Sequence, residues 1–146
     1  MDGPKYVGGN YFCRYNELTT LKGCPEEIGK SFSCRANHLK TLEYGPKKVG
    51  ESYDCSYNEL TTLEGAPEEV EEDFDCSHNE LTTLKGAPKR VEGFFDCSYN
   101  DLTSLEYGPE WVGRNFLCSN NKLTTLKGAP KYVGGLFDCS YNELTR

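Results

Sequence analysis

The chain has 146 residues, the size of one ordinary domain, but Leu, Ile, Val and Phe together number only 29, about one fifth, at the edge of the disordered class. A formal charge of −7, from 16 Lys and Arg against 23 Asp and Glu, speaks against nucleic-acid binding, which needs clustered cations. No apolar run approaches the ~20 residues of a membrane span and none follows a basic N-terminus, so neither membrane insertion nor signal-peptide secretion is expected, and the expected location is cytoplasmic with reduced cysteines.

The organisation lies in a 21-residue period that runs without insertion and predicts a single solenoid domain over residues 1–146. In chain order, each period opens on an aliphatic residue (Val7, Ile28, Val49, Val70, Val91, Val112, Val133), followed four positions later by an aromatic one (Tyr11, Phe32, Tyr53, Phe74, Phe95, Phe116, Phe137). Two positions on stands the cysteine column: Cys13, Cys34, Cys55, Cys76, Cys97, Cys118 and Cys139. Three residues after each cysteine comes asparagine (Asn16, Asn37, Asn58, Asn79, Asn100, Asn121, Asn142), and two further on leucine (Leu18, Leu39, Leu60, Leu81, Leu102, Leu123, Leu144). A second leucine column runs from Leu21 to Leu126, and a proline column from Pro4 to Pro130.

Aromatic and cysteine at alternate positions predict a strand of about five residues whose aromatic and thiol side chains point inward. The asparagine is expected to take the left-handed turn conformation and to satisfy turn backbone as a buried ladder. The Gly-Ala-Pro or Tyr-Gly-Pro segment stops any helix, and the stretch after the proline is too short and Gly-rich to start one, so extended connections, tight turns or a single 3₁₀ turn are expected there. One coil alone cannot offset ~1–2 kcal/mol of backbone entropy per residue. Stacked coils share ladder bonds and dry contacts, so stability should grow with repeat number.

The tract "VGGLFDCSYNELTTL" resembles a leucine-rich repeat, with Phe137, Cys139, Asn142 and Leu144 on the family's pattern and their equivalents in the other coils matching too. At 21 residues the unit is similar to the short bacterial and phage-type repeats. It departs from them by the aromatic at the first strand position, by Gly-Gly before the strand and by the Gly-Ala-Pro turn. The resemblance implies a β-solenoid: a right-handed superhelix of seven coils with one parallel β-sheet on a concave face that usually binds other macromolecules, and it implies no chemistry.

The cysteine column reads as a row of small buried hydrophobes. Thiols ~4.8 Å apart in a line cannot surround a tetrahedral metal, and His38 and His78 fall in turns away from them. No metal and no cofactor are expected. Cys24, the eighth cysteine, stands where other repeats carry Ala and reads as a neutral replacement.

The outward position before each cysteine carries Asp54, Asp75, Asp96 and Asp138. Carboxylates in register on neighbouring strands repel by up to ~1 kcal/mol. The stripe therefore reads either as a site for a basic partner, with weak cation capture as a further possibility, or as a repeat motif facing water with hydrogen bonds from Ser56, Ser77 and Ser98. Beside it run Tyr15, Tyr57, His78, Tyr99 and Tyr141, a plausible protein-binding surface, extended by Phe94 and Leu136, which are expected to face outward. Glu68, Glu69, Glu71, Glu72 and Asp73 are expected on the convex side, where Trp111 and Tyr132 should be neighbours.

No Ser-His-Asp arrangement, phosphate loop or cation cluster is readable, so enzymatic activity is not expected. The chain is one residue short of seven periods and shows no atypical capping repeat between Met1 and Arg146. Three functional readings are open to such a chain. The first is a non-enzymatic module engaging a host or self protein through the Asp and Tyr columns. The second is a structural subunit assembling end to end into homo-oligomers or filaments, with Arg14 and Arg35 facing Asp138 of the next copy. The third is an acidic inhibitor of a basic site on a host enzyme.

Overall fold

A computed structural model describes residues 3–145; Met1, Asp2 and Arg146, which frame the end-to-end reading, lie outside the described residues. The chain winds into a parallel β-solenoid with no helix among the described residues, and none is long and apolar enough to cross a membrane.

Each coil contributes one short strand to a seven-stranded parallel sheet: Tyr11–Phe12, Phe32–Ser33, Tyr53–Asp54, Phe74–Asp75, Phe95–Asp96, Phe116–Leu117 and Phe137–Asp138. The register is one repeat per rung, so Phe95 pairs with Phe74 and Phe116, and Asp96 with Asp75 and Leu117. The regular strand is only two residues long, yet the ladder continues past it. Tyr11, Cys13 and Tyr15 donate their backbone N–H groups to Ser31, Ser33 and Arg35 at 2.9–3.0 Å, and later coils repeat the set. The five-residue strand expected from the sequence is thus a five-residue hydrogen-bonded span.

The expectation of a single sheet is corrected. The aliphatic column forms further parallel ladders on the opposite wall, one joining Tyr6–Val7, Glu27–Ile28 and Lys48–Val49, the other joining Glu69–Val70, Arg90–Val91, Trp111–Val112 and Tyr132–Val133. The connections are extended and no 3₁₀ turn occurs among the described residues. The gap between these ladders falls where Glu71 follows Gly50 in the same column. A Cβ added to Gly29, Gly50, Gly113 or Gly134 would collide with the carbonyl oxygen of the coil before it. Glycine allows coils to approach this closely; Glu92, next in the column after Glu71, keeps the ladder with its backbone N–H on Val70 O at 3.0 Å, so a Cβ alone does not account for the gap.

The interior is the stack of columns that the period demands. Ile28, Phe32, Cys34, Leu39 and Leu42, and their equivalents through Val112, Phe116, Cys118 and Leu123, are all buried. Side chains of the first and last coils, such as Tyr11, Cys13, Phe137 and Cys139, are half-buried against them. The inward aromatic column is one continuous pile of rings, with centroids 5.0–6.2 Å apart from Tyr11 to Phe137. Tyr53 is the exception in polarity, since its buried hydroxyl has no hydrogen-bond partner. It lies beside Gly45, where an added Cβ would meet Leu21 Cδ1 at 2.9 Å and Leu42 O at 3.0 Å.

Candidate binding surface

The left-handed residue of the turn is the one before the asparagine, which corrects the expectation from sequence. Tyr15, Ala36, Tyr57, His78, Tyr99, Asn120 and Tyr141 have φ between 54° and 60°. This frees the asparagine side chain to point inward and bond across coils. Asn58 Nδ2 donates to Cys34 O, Cys55 O and Ser56 O, while its Oδ1 accepts from Leu39 N at 3.0 Å. Asn37, Asn79, Asn100 and Asn121 repeat this pattern as buried residues; Asn142 does so half-buried and the exposed Asn16 within its own coil only. The expected asparagine ladder is therefore present, and it anchors the turn that carries the outer columns.

The thiols of Cys34, Cys55, Cys76, Cys97 and Cys118 face the dry interior. Burial pushes all of them up, Cys118 to about 12, so these sulfurs stay protonated. His38 lies exposed in its turn, paired with Glu59 at 2.9 Å, away from the thiols.

On the outer face of the long sheet, Asp54, Asp75 and Asp96 occupy successive rungs, and Asp138 follows after Leu117. Each of the three binds its own coil: Oδ1 accepts from the backbone N–H of Ser56, Ser77 or Ser98 at 2.9 Å and from the same serine's hydroxyl at 2.6 Å. These bonds leave Oδ2 of each carboxylate without a partner among the described residues. Asp138 makes the same contacts with Ser140, which hold its carboxyl below the usual range.

Asp75, with an acid on either side, behaves differently. Burial raises its carboxyl to about 6, Ser77 opposes the rise, and Asp96 and Asp54 add to it. The native state therefore binds this proton more tightly than the unfolded chain, whose Asp titrates near ~3.9. The stabilisation is complete below that pH and disappears as pH rises through about 6. Urea midpoints of the wild type should fall between pH 4 and pH 7, on the order of 2–3 kcal/mol at most from this group. Asp75→Asn, which keeps the acceptor for Ser77, should flatten that part of the profile.

A shallow groove of about 210 Å³ borders the stripe, lined by Phe12, Arg14, Asp54, Asp73, Asp75 and Phe94 among others. Asp73 is thus on this face, a correction to its expected convex position; its Oδ1 accepts from Phe94 N at 2.9 Å, continuing a side-chain ladder in which Asn10 and Ser31 accept from the next coil. Phe94 is only half-exposed, whereas Leu136 and Phe12 are open to solvent.

Beside the carboxylates runs a row of rings, exposed at Tyr15, Tyr57, Tyr99 and Tyr141 and half-buried at His78. His78 lies 4.1 Å from Tyr57 and 4.4 Å from Tyr99, with interplanar angles of 8° and 9°. Burial lowers the His78 imidazole, opposed by Asp96 and aided by Arg35, which favours the neutral ring in this stack. Arg35, expected from sequence to act only at the chain end, extends the row: its guanidinium lies 4.5 Å from the Tyr57 ring, Nε donates to Tyr15 Oη and Nη1 to Ser56 Oγ. Tyr15 and Tyr141 are the most open rings, at 71% and 79% exposure. The structure thus places the predicted Asp and Tyr columns side by side on one face.

On the opposite wall, Trp111 and Tyr132 stack at 5.1 Å as expected, and Arg90 covers the other face of Trp111 at 3.8 Å. The signal for Arg90 was available in principle, since it precedes Trp111 by one period in the same column; Arg35 precedes Tyr57 by 22 residues and carried no such signal. Set against known proteins, the chain matches no protein-family model, no curated protein and no solved structure.

Proposed function

We propose that this chain is a non-enzymatic protein-binding module, a short-repeat leucine-rich-repeat protein of bacterial or phage type, whose outer sheet face takes a basic protein surface. The observation that carries this reading is the identity of the left-handed turn residues. That conformation costs a side chain with a Cβ on the order of 1 kcal/mol and suits Gly or Asn. Asn occupies the position once, at Asn120, while Tyr15, Tyr57, His78, Tyr99 and Tyr141 hold aromatic rings there at positive φ. Backbone strain that local folding does not need supports a role for the ring itself. Rings with polar edges beside unpaired carboxylate oxygens supply both parts of a recognition surface: flat contact area at little entropic cost, and charge that steers a cationic partner.

The test compares wild type, Tyr57→Asn with Tyr99→Asn, and Asp54→Asn with Asp75→Asn and Asp96→Asn, all folded as judged by circular dichroism. The probe is a labelled Lys- and Arg-rich peptide followed by fluorescence anisotropy at low and high salt. Both variants should bind at least about tenfold more weakly, and only the binding of the chain with intact carboxylates should weaken steeply with salt. Equal affinity of all three proteins would remove the proposal.

A further inference from the structure

The wall opposite the long sheet is laddered at every boundary between coils but one. The N–H after the proline and the N–H after the aliphatic residue each donate to the preceding coil: Glu26 N to Lys5 O and Gly29 N to Val7 O, then Lys47 N to Glu26 O and Gly50 N to Ile28 O, all at 2.8–3.0 Å. From the fourth coil onward the same two bonds recur, ending with Lys131 N on Glu110 O and Gly134 N on Val112 O, both at 2.9 Å. Between the third and fourth coils both are missing. Lys47 O and Val49 O lose these donors, and Glu68 N and Glu71 N have no acceptor among the described residues.

The coils are not parted elsewhere at this boundary. Tyr53 pairs with Phe74 and Asp54 with Asp75 in the long sheet, and Glu72 N still reaches Glu51 O at 3.3 Å. The wall opens into a cleft of about 820 Å³ whose lips carry opposite charge, Lys47 and Lys48 on the third coil against Glu68, Glu69 and Glu71 on the fourth. None of these five side chains is in an ion pair among the described residues. Intact rungs of the same wall set Glu27 beside Lys48 and Glu69 beside Arg90. Carbonyl acceptors two residues apart, facing N–H donors three residues apart, are the complement of an extended backbone.

We infer that this cleft takes an extended peptide of a partner protein, laid parallel to the coils as one more rung of the wall. The wall segment of the fifth coil shows the fit: Lys89 N and Glu92 N donate to Glu68 O and Val70 O, while Lys89 O and Val91 O accept from Glu110 N and Gly113 N. A peptide in that register donates to Lys47 O and Val49 O and accepts from Glu68 N and Glu71 N. Its middle residue then follows the aliphatic column of Val49 and Val70, and a basic side chain on it meets the glutamate lip. The backbone bonds give affinity without regard to sequence, and the column and the lips select the side chains. This site lies on the wall opposite the Asp and Tyr columns and does not depend on the reading of that face.

Hydrogen exchange of the full chain, followed amide by amide by nuclear magnetic resonance, tests the inference. The probe is the acetylated and amidated peptide Pro-Lys-Tyr-Val-Gly-Gly, which has the sequence of wall segment 130–135. In the free chain the amides of Glu68 and Glu71 should exchange at least about tenfold faster than the bonded amides of Lys89 and Glu92. Excess probe should slow Glu68 and Glu71 by at least about tenfold. The same peptide N-methylated at its lysine and its first glycine lacks the two donors and should leave them unchanged. Glu68→Lys with Glu71→Lys, folded as judged by circular dichroism, should bind the probe at least about tenfold more weakly. Equal exchange of the four amides in the free chain, no slowing by the probe, or equal slowing by the methylated peptide would each overturn the inference. Slowing confined to the Asp and Tyr face would overturn it as well, while leaving the basic-partner reading of that face standing.

Discussion

Replacing Asn79 by Ala should lower the unfolding free energy by about 3–5 kcal/mol, the largest effect expected of any single polar residue in the chain. Its Oδ1 accepts from Asn58 N at 3.2 Å and Leu60 N at 3.0 Å, and its Nδ2 donates to Cys55 O, Cys76 O and Ser77 O at 3.1–3.2 Å. Truncation leaves backbone groups of two coils unpaired in a site closed to water, and each such group costs ~1–3 kcal/mol without simple additivity. Asn79→Asp sharpens the test. It keeps the acceptor, loses the donor and sets a buried charge against carbonyl oxygens, so at neutral pH it should destabilise at least as much as Ala and recover partly in acid. Asn16→Ala is the control: that side chain is exposed and bonds only to Cys13 O and Arg14 O, so the loss should stay near ~1 kcal/mol. Urea midpoints of the four proteins at pH 7 decide it, and equal costs at Asn16 and Asn79 would refute the cross-coil ladder.

The contrast between those two asparagines shows how far the sequence could be read. A column of identical residues announces that every copy has the same neighbours, so the burial of Phe74, Cys76, Leu81 and Leu84 followed from periodicity alone. Strand parity likewise put Asp75 on the face opposite Cys76. The turn conformation was not legible in the same way. Asparagine is the residue that most readily takes positive φ, and local propensity assigned it that role. The cross-coil bonds of Asn58 and Asn79 outweigh that preference, and the strain passes to Tyr57 and His78 instead. The second set of ladders was hidden because its strands are two residues long and five of the seven are followed by glycine, a composition that reads as turn.

Exceptions to the columns were the other blind spot. Asp73 looked like the end of the acidic run that begins at Glu68, yet its place in the column of Ser31, Ser52 and Phe94 puts it at the edge of the Asp stripe. That error came from reading neighbours along the chain. In a solenoid the neighbours that decide an environment lie one period away.

That same one-dimensional architecture makes the position of a cavity matter as much as its size. Phe95→Ala should cost about 3–5 kcal/mol, since the ring is fully buried between Phe74 and Phe116, both 5.5 Å away. Phe137→Ala removes a half-buried ring with one stacked neighbour, Phe116 at 5.2 Å, and should cost about 1–2 kcal/mol. The larger difference is expected in cooperativity. Each coil touches little beyond the coils on either side, so a void in the fifth coil weakens the coupling on which a single transition depends, whereas a void in the last coil leaves it intact. Trp111, the only tryptophan, sits on the C-terminal side of Phe95 and reports that segment, while far-UV circular dichroism reports the whole chain. In wild type and Phe137→Ala the two probes should give one urea midpoint. In Phe95→Ala they should separate, with a shallower dependence on denaturant. Coincident transitions with an unchanged slope would mean that the coils hold together through something other than nearest-neighbour stacking.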